Sequence, residues 1–165
     1  MRTSQKVFLA LIVVALVQAL VYYPQLPDRV ASHFDGGGHT NGWSAKIAFF
    51  AINLGMIVLL ALVFVFLPRT FGRMPERIVS LPNRDYWLSP ERREETLRFI
   101  QDQMTWLGTA TLVLIVGMME MTIRANLQPE PVLAPVFMWI LAGFLVFMAV
   151  WTIRFVSRFA RVRGA

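Results

Sequence analysis

Residues 47–67, IAFFAINLGMIVLLALVFVFL, run for 21 positions without a charged side chain, and Asn53 is their one polar member. As a helix this run reaches about 30 Å, the thickness of a bilayer's hydrocarbon core. In hydrocarbon every backbone N–H and C=O must find its partner inside the protein, so a lone segment of this kind must be helical. Three further runs repeat the pattern: 7–23, apolar except for Gln18; 104–123, which carries Glu120; and 135–153, which opens on Pro135. A proline at a helix start costs little, because its missing N–H had no helical partner there. The chain is 56% hydrophobic with a mean hydropathy of +0.56, and that excess sits in these four runs. The expectation is an all-α integral membrane protein. It is one domain over 1–165, a four-helix transmembrane bundle with connections at 24–46, 68–103 and 124–134. A cleaved leader is the rival reading of the first run, since Val17-Gln18-Ala19 loosely fits a cleavage site. The apolar run continues through Val21, Tyr22 and Tyr23, which favours a retained span.

Charge sets the orientation. The net charge of +6 does not gather into a nucleic-acid-binding patch; it flanks the apolar runs. Arg2 and Lys6 precede the first run. Seven arginines (69, 73, 77, 84, 92, 93 and 98) fill the central connection, and four (154, 158, 161 and 163) follow the last run. Only Arg29, Lys46 and Arg124 lie at the other two connections. The positive-inside rule then predicts cytoplasmic termini, a cytoplasmic 68–103, and outward-facing 24–46 and 124–134. Tyr22, Tyr23, Trp43 and Trp139 would form the outer aromatic belt, with Trp106 and Trp151 near the inner interface. There is no cysteine, which removes disulfides, thiolate metal sites and thiol nucleophiles.

The central connection carries helix signals. Ser89 is suited to an N-cap, Pro90 to the first helical position, and Glu91, Glu94 and Glu95 to the positive end of the helix dipole. Glu94 and Arg98 stand at i,i+4, and Leu97, Ile100, Met104 and Leu107 form a stripe running into the third span. One helix from about Pro90 to Ile123 is predicted. Its projecting part is either a membrane-hugging connector or a docking surface for a cytoplasmic regulator. The docking reading would use Asp85, Tyr86, Trp87, Glu91, Arg92 and Arg93.

The connection LPDRVASHFDGGGHTNGWSAK, residues 26–46, holds both histidines. Pro27, the glycine run, Asp35-Gly36 and Asn41-Gly42 are turn signals, so a hairpin or compact irregular loop fits and a long helix does not. His33, Asp35 and His39 are residue types that ligate zinc-like metals, but their spacing matches no strong metal motif. Ser32, His33 and Asp35 stand too close in sequence to suggest a catalytic triad, and no nucleophile-elbow motif is present. The three glycines lack the lysine and following helix of a phosphate loop.

Leu26, Pro27, Val30, His33, Phe34, Asp35, Gly38, Asn41, Gly42, Trp43 and Lys46 stand in register with the pattern L-P-x-x-[IV]-x-x-H-[FW]-[ND]-x-x-G-x-x-[DN]-G-[WYF]-x-x-K. In this the chain resembles a bacterial membrane family of unknown function that also forms the N-terminal part of SdpI-type immunity proteins. The resemblance is strong over about 25 residues; LPNRDYWLSPERREET, residues 81–96, also looks like a cytoplasmic loop of some members. It implies a bacterial cytoplasmic membrane and no cofactor. It sets His33 and Asp35 on pattern positions and His39 off them. The immunity-type members protect a producing cell from its own peptide toxin and are longer than this chain.

Depth along the spans adds one clue. Gln18, Asn53 and Glu120 all fall in the outer third, about 5–9 Å from the span ends at helical rise. They serve either as hydrogen-bonding links between helices, with Arg124 pairing Glu120, or as the floor of a shallow outward cavity. In the second case the His33–Asp35 loop is the lid, and Asn41 and Trp43 complete the ligand-binding set. The leading functional expectation is a non-enzymatic protein that senses, binds or confers resistance to an envelope-active peptide or small molecule. The alternative is a small metal-dependent membrane enzyme or transport accessory using His33, Asp35, His39 and Glu120. A structural subunit of a larger complex stays open beside both.

Overall fold

The computed structural model describes residues 2–70 and 81–161. Arg73, Arg77 and Arg163, which entered the charge count, lie outside them. Helix α1 (Thr3–Tyr22) leads into strands β1 (Arg29–Phe34) and β2 (Thr40–Ala45). Helix α2 (Lys46–Ala61), a π-helical turn (Leu62–Phe66) and α3 (Leu67–Thr70) follow without a break. The short α4 (Arg84–Trp87), the 34-residue α5 (Arg93–Asn126) and α6 (Val136–Ala160) complete the chain. Among the described residues, four helical stretches are long and apolar enough to cross a membrane: Thr3–Tyr22, Lys46–Thr70, Arg93–Asn126 and Val136–Ala160.

Helix α5 is the axis. It is the most buried of the four, and α6 is the least. α1 is apolar all round and buries only Ser4, Phe8, Ala15, Gln18 and Ala19, a stripe that faces its neighbours. Two apolar clusters fill the space among α1, α2 and α5. One, at the hairpin end, joins Ala19, Leu26, Val30, Phe49, Phe50, Met119 and Ile123. The other, further along, joins Phe8, Ala15, Ile57, Leu60, Leu112 and Val116. Thr105, Thr109 and Thr111 return their hydroxyl protons to carbonyls one turn back, at 2.8–3.0 Å, so none is left unpaired inside α5.

The second span continues through Pro68 instead of ending before it. Pro68 has no N–H to donate to the Phe64 carbonyl, and its ring crowds that carbonyl. The helix responds by widening: the Leu67 N–H bonds the Leu62 carbonyl, five residues back. Gln101 Nε2 donates to the Pro68 carbonyl at 3.2 Å, while the Thr105 hydroxyl, whose proton goes to the Gln101 carbonyl, stands 3.5 Å from the freed Phe64 carbonyl. Gly108 of α5 faces this turn so closely that a Cβ there would stand 2.4 Å from Phe64 Cβ.

The four expected spanning helices are present, and they pack unequally: α1, α2 and α5 form the core and α6 lies against its side. Phe137 anchors one end of α6 among Ala125 and Leu133. Phe159 anchors the other beside Trp87, Phe99 and Phe155. Between them most of α6 is exposed.

Helix α5 starts at Arg93, not Pro90. The chain closes a turn on the Ser89 carbonyl through the Arg92 and Arg93 amides, at 3.0 and 2.9 Å, before the regular helix begins. Ser89 thus supplies its carbonyl to the helix start. Just before it, Asn83 adopts a left-handed conformation (φ 51°), which asparagine tolerates. Its side chain donates to the Phe159 and Ala160 carbonyls, both at 3.1 Å, and Trp87 Nε1 donates to the Phe159 carbonyl at 2.9 Å. The last carbonyls of a helix lack intrahelical donors, and α4 supplies them for α6.

Candidate functional site

The connection between α1 and α2 is a built hairpin. The strands are antiparallel, with Arg29 opposite Ala45, Ala31 opposite Trp43, His33 opposite Gly42 and Phe34 opposite Thr40, and the register shifts on either side of His33. Asp35 forms the turn. Its Oδ1 accepts the Gly37 and His39 amides, both at 2.9 Å, and its own amide donates to the His39 carbonyl at 2.9 Å. The His39 backbone N–H holds the Asp35 carboxyl below the ordinary value of 3.8. Of the three glycines, Gly38 is dictated twice: its φ is +84°, and a Cβ there would meet the Leu133 carbonyl oxygen at 2.4 Å. The expected Asn41-Gly42 turn is instead part of β2. Gly42 makes room for His33, whose Cβ would lie 3.0 Å from an added Cβ.

Contacts at its tip, edge and base tie the hairpin to the rest of the molecule. At the tip, the Leu133 amide donates to the Gly38 carbonyl at 2.9 Å. The Thr40 hydroxyl donates to the Pro131 carbonyl at 2.7 Å. At the edge of β1, Asn126 uses both ends of its amide: Oδ1 accepts the Ala31 N–H at 2.7 Å and Nδ2 donates to the Ala31 carbonyl at 2.9 Å. Asn126 closes an edge that would otherwise carry unpaired groups. At the base, Lys46 Nζ donates to the Leu26 carbonyl at 2.9 Å, lies 3.5 Å from Asp28, and sits 5.0 Å from the centre of the Tyr23 ring.

Along β2 the side chains alternate. Thr40, Gly42 and Ser44 are half-buried, whereas Asn41, Trp43 and Ala45 are exposed. Trp43 leaves half of its surface open. His33 is also exposed, with Ser32 Oγ 3.0 Å from its Nδ1.

The metal triad is not assembled. His39 lies 3.6 Å from Asp35 and is largely exposed. His33 packs beside Gly42 with Ser32 as its ring partner. Among the described residues, no three His, Cys, Asp or Glu side chains come close enough to hold a metal ion. The bulge that admits His33 next to Gly42 sets it apart from the turn that orients His39.

The expected floor is only partly assembled. Gln18 Nε2 donates to Glu120 at 2.7 Å and to the Val116 carbonyl at 3.3 Å, the Tyr22 hydroxyl donates to Glu120 at 3.0 Å, and Arg124 pairs with it at 2.5 Å. Asn53 does not join them; its amide donates to the Phe49 carbonyl of its own helix at 2.9 Å. Directly beneath the hairpin, Val30 and Leu26 pack on Ala19, Phe49, Phe50, Met119 and Ile123. Tyr22 and Asn126 are the participants that sequence reasoning missed.

The expected docking residues of the central connection are largely engaged within the chain. Trp87 holds α6, the Arg92 guanidinium lies 4.1 Å from the centre of the Tyr86 ring, and Arg93 belongs to the first turn of α5. Asp85 and Glu91 stay exposed, Asp85 beside Arg84 at 3.4 Å.

Four apolar helices and a hairpin locked on their end describe a multi-pass membrane protein. The family model described as "Domain of unknown function (DUF1648)" matches residues 10–57, which run from within α1 through the hairpin and into α2. No curated protein and no solved structure matches the chain.

Proposed function

We propose that this chain is a non-enzymatic protein of the bacterial cytoplasmic membrane whose hairpin faces outward and binds an envelope-active peptide or small molecule. Binding would confer resistance or report the agent's presence, as in SdpI-type immunity and signalling. The carrying observation is that the hairpin is tied to the bundle at its tip and along one edge and still leaves side chains uncovered. Asn126, Thr40 and Gly38 tie it down, while Trp43, Asn41 and His33 stay uncovered. A surface held rigid before contact loses little conformational entropy on binding. Exposed tryptophan on such a surface is the residue type that most often dominates recognition. Helix α5 would carry the consequence inward, since Asn126 closes one end of it and the α4 segment adjoins the other. Both termini and the α4 segment would be cytoplasmic, as the arginine distribution favours.

The test is a tolerance assay in a sensitive bacterium expressing the chain, challenged with a panel of membrane-active peptides and small molecules. His33→Ala/Trp43→Ala at wild-type abundance should return tolerance to the empty-vector level. The loss of a binding-dominant tryptophan corresponds to about 2 kcal/mol, or roughly 30-fold in affinity. Protection that survives the double variant, or no protection by the wild type against any agent, overturns the reading. Because the chain has no cysteine, orientation is tested separately. A membrane-impermeant maleimide should label Asn41→Cys in intact cells and Asp85→Cys only after permeabilisation.

A further inference from the structure

At the end of the molecule opposite the hairpin, three crevices share Arg158. The largest, about 530 Å³, lies between the start of α1, α5 and α6, with Arg2, Arg98, Asp102, Trp106 and Arg158 in its lining. A second, about 350 Å³, lies between Tyr86, Trp87, Arg158 and Arg161. The third, about 100 Å³, adds Arg92, and Glu95 lines both it and the largest. Together they expose five guanidinium groups (Arg2, Arg92, Arg98, Arg158 and Arg161) against two carboxylates, Glu95 and Asp102.

These charges are unevenly committed. Arg2 donates to the Arg98 carbonyl at 2.6 Å, Arg98 pairs with Glu94, and Asp102 accepts the Ser4 hydroxyl at 2.6 Å. Arg158 instead lies 3.8 Å from the centre of the Phe99 ring, and among the described residues neither it nor Arg161 is paired with a carboxylate. Beyond the arginines the surface turns apolar. Trp106 and Val113 on α5, and Phe147 and Val150 on α6, are exposed because α6 meets the core mainly at its ends.

We propose that this crevice binds one anionic phospholipid of the adjacent leaflet. Arg158 and Arg161 hold its phosphate, and an acyl chain covers the apolar surface along α5 and α6. Cationic pockets between membrane helices suit such headgroups, and tryptophans such as Trp87 and Trp106 favour the headgroup level. A free phosphate would satisfy the arginines but leave the apolar walls bare. A second copy of the chain would bring a second arginine-rich end against the first, and like charges oppose that contact.

The experiment is native mass spectrometry of the full chain in neutral detergent with equimolar phosphatidylglycerol and phosphatidylcholine. The wild type should retain one phosphatidylglycerol with at least about tenfold preference, and each guanidinium removed in Arg158→Gln/Arg161→Gln should reduce retention about fivefold. Arg29→Gln, on the hairpin, should change nothing. Equal retention of the two lipids, or an unaffected double variant, overturns the proposal. Displacement of the lipid by an equal concentration of glycerol phosphate would overturn the acyl-chain contribution. A lipid-free dimer would assign the surface to a second copy. If the double variant loses its helical circular dichroism, Arg161→Gln alone decides, with about a fivefold loss expected because Arg161 is exposed.

Discussion

Asn126→Ala should release the inner strand of the hairpin from the bundle. The substitution removes the two bonds to Ala31, at 2.7 and 2.9 Å, and strands a buried N–H and a buried carbonyl on β1. Each orphaned group costs about 1–3 kcal/mol, so the pair costs about 3 kcal/mol once some water reaches the opened edge. At 1.4 kcal/mol per tenfold, that raises the open fraction of the strand roughly 150-fold. Hydrogen exchange read by mass spectrometry on the protein in nanodiscs would report it over residues 29–33. Protection near residues 38–40 should fall less, because the Gly38 and Thr40 anchors remain. Asn126→Asp separates hydrogen bonding from packing. It keeps an acceptor for the Ala31 N–H but turns a carboxylate toward the Ala31 carbonyl, so it should be at least as damaging as alanine despite its size. Wild-type protection of residues 29–33 in Asn126→Ala would refute the claim that this side chain closes the strand edge. Should both variants also lose tolerance in the assay above, the rigidity of the hairpin and its recognition role are one property.

Gly108→Ala would place a Cβ 2.4 Å from Phe64 Cβ and should cost about 1–3 kcal/mol by overpacking, read as a lowered Tm in detergent; an unchanged Tm would show that the π-helical turn yields freely. Trp87→Phe keeps a ring beside Phe159 but loses the bond to its carbonyl, and should cost about 1 kcal/mol, whereas Trp87→Ala should cost more; equal stabilities would mean that α4 does not hold α6. The folded Asp35 carboxyl titrates below its ordinary value, so its contribution to the turn is present above pH 3.8 and is lost as pH falls through the lowered value. Exchange at residues 37–39, corrected for intrinsic rates, should therefore hold steady from neutral pH to about 4 and rise below it, while Asp35→Asn should flatten that rise; an equal rise in the variant would assign the pH response to another group.

The four spans were legible because hydrocarbon leaves the backbone one local solution, and a run of apolar residues reports that medium directly. The hairpin was half legible. Asp35 and Gly38 stand where the turn chemistry demands them, but Asn41-Gly42, an equally good turn signal, became strand because His33 needed a neighbour without a side chain. Asn126 was invisible in its own segment: an asparagine at a helix end reads as a terminator, and only the approach of β1 makes it a strand-edge partner. Pro68 departs from the usual rule for a related reason. Its missing N–H ordinarily stops a helix, yet a wider turn kept this one continuous, with Gln101 of α5 donating to the Pro68 carbonyl.

The medium, the number of spanning helices and the chemistry of the turn each follow from residues adjacent in the chain or one helical turn apart, so they could be read before any fold was known. Tertiary structure alone decided which polar groups meet. It gave Glu120 to Gln18, Tyr22 and Arg124, left Asn53 on its own helix, filled the space under the hairpin with Val30 and Leu26, and set α6 outside the core. Those outcomes depend on how helices rotate and lean against one another. Spans that are apolar on nearly every side carry little in their sequence to say which way each should turn.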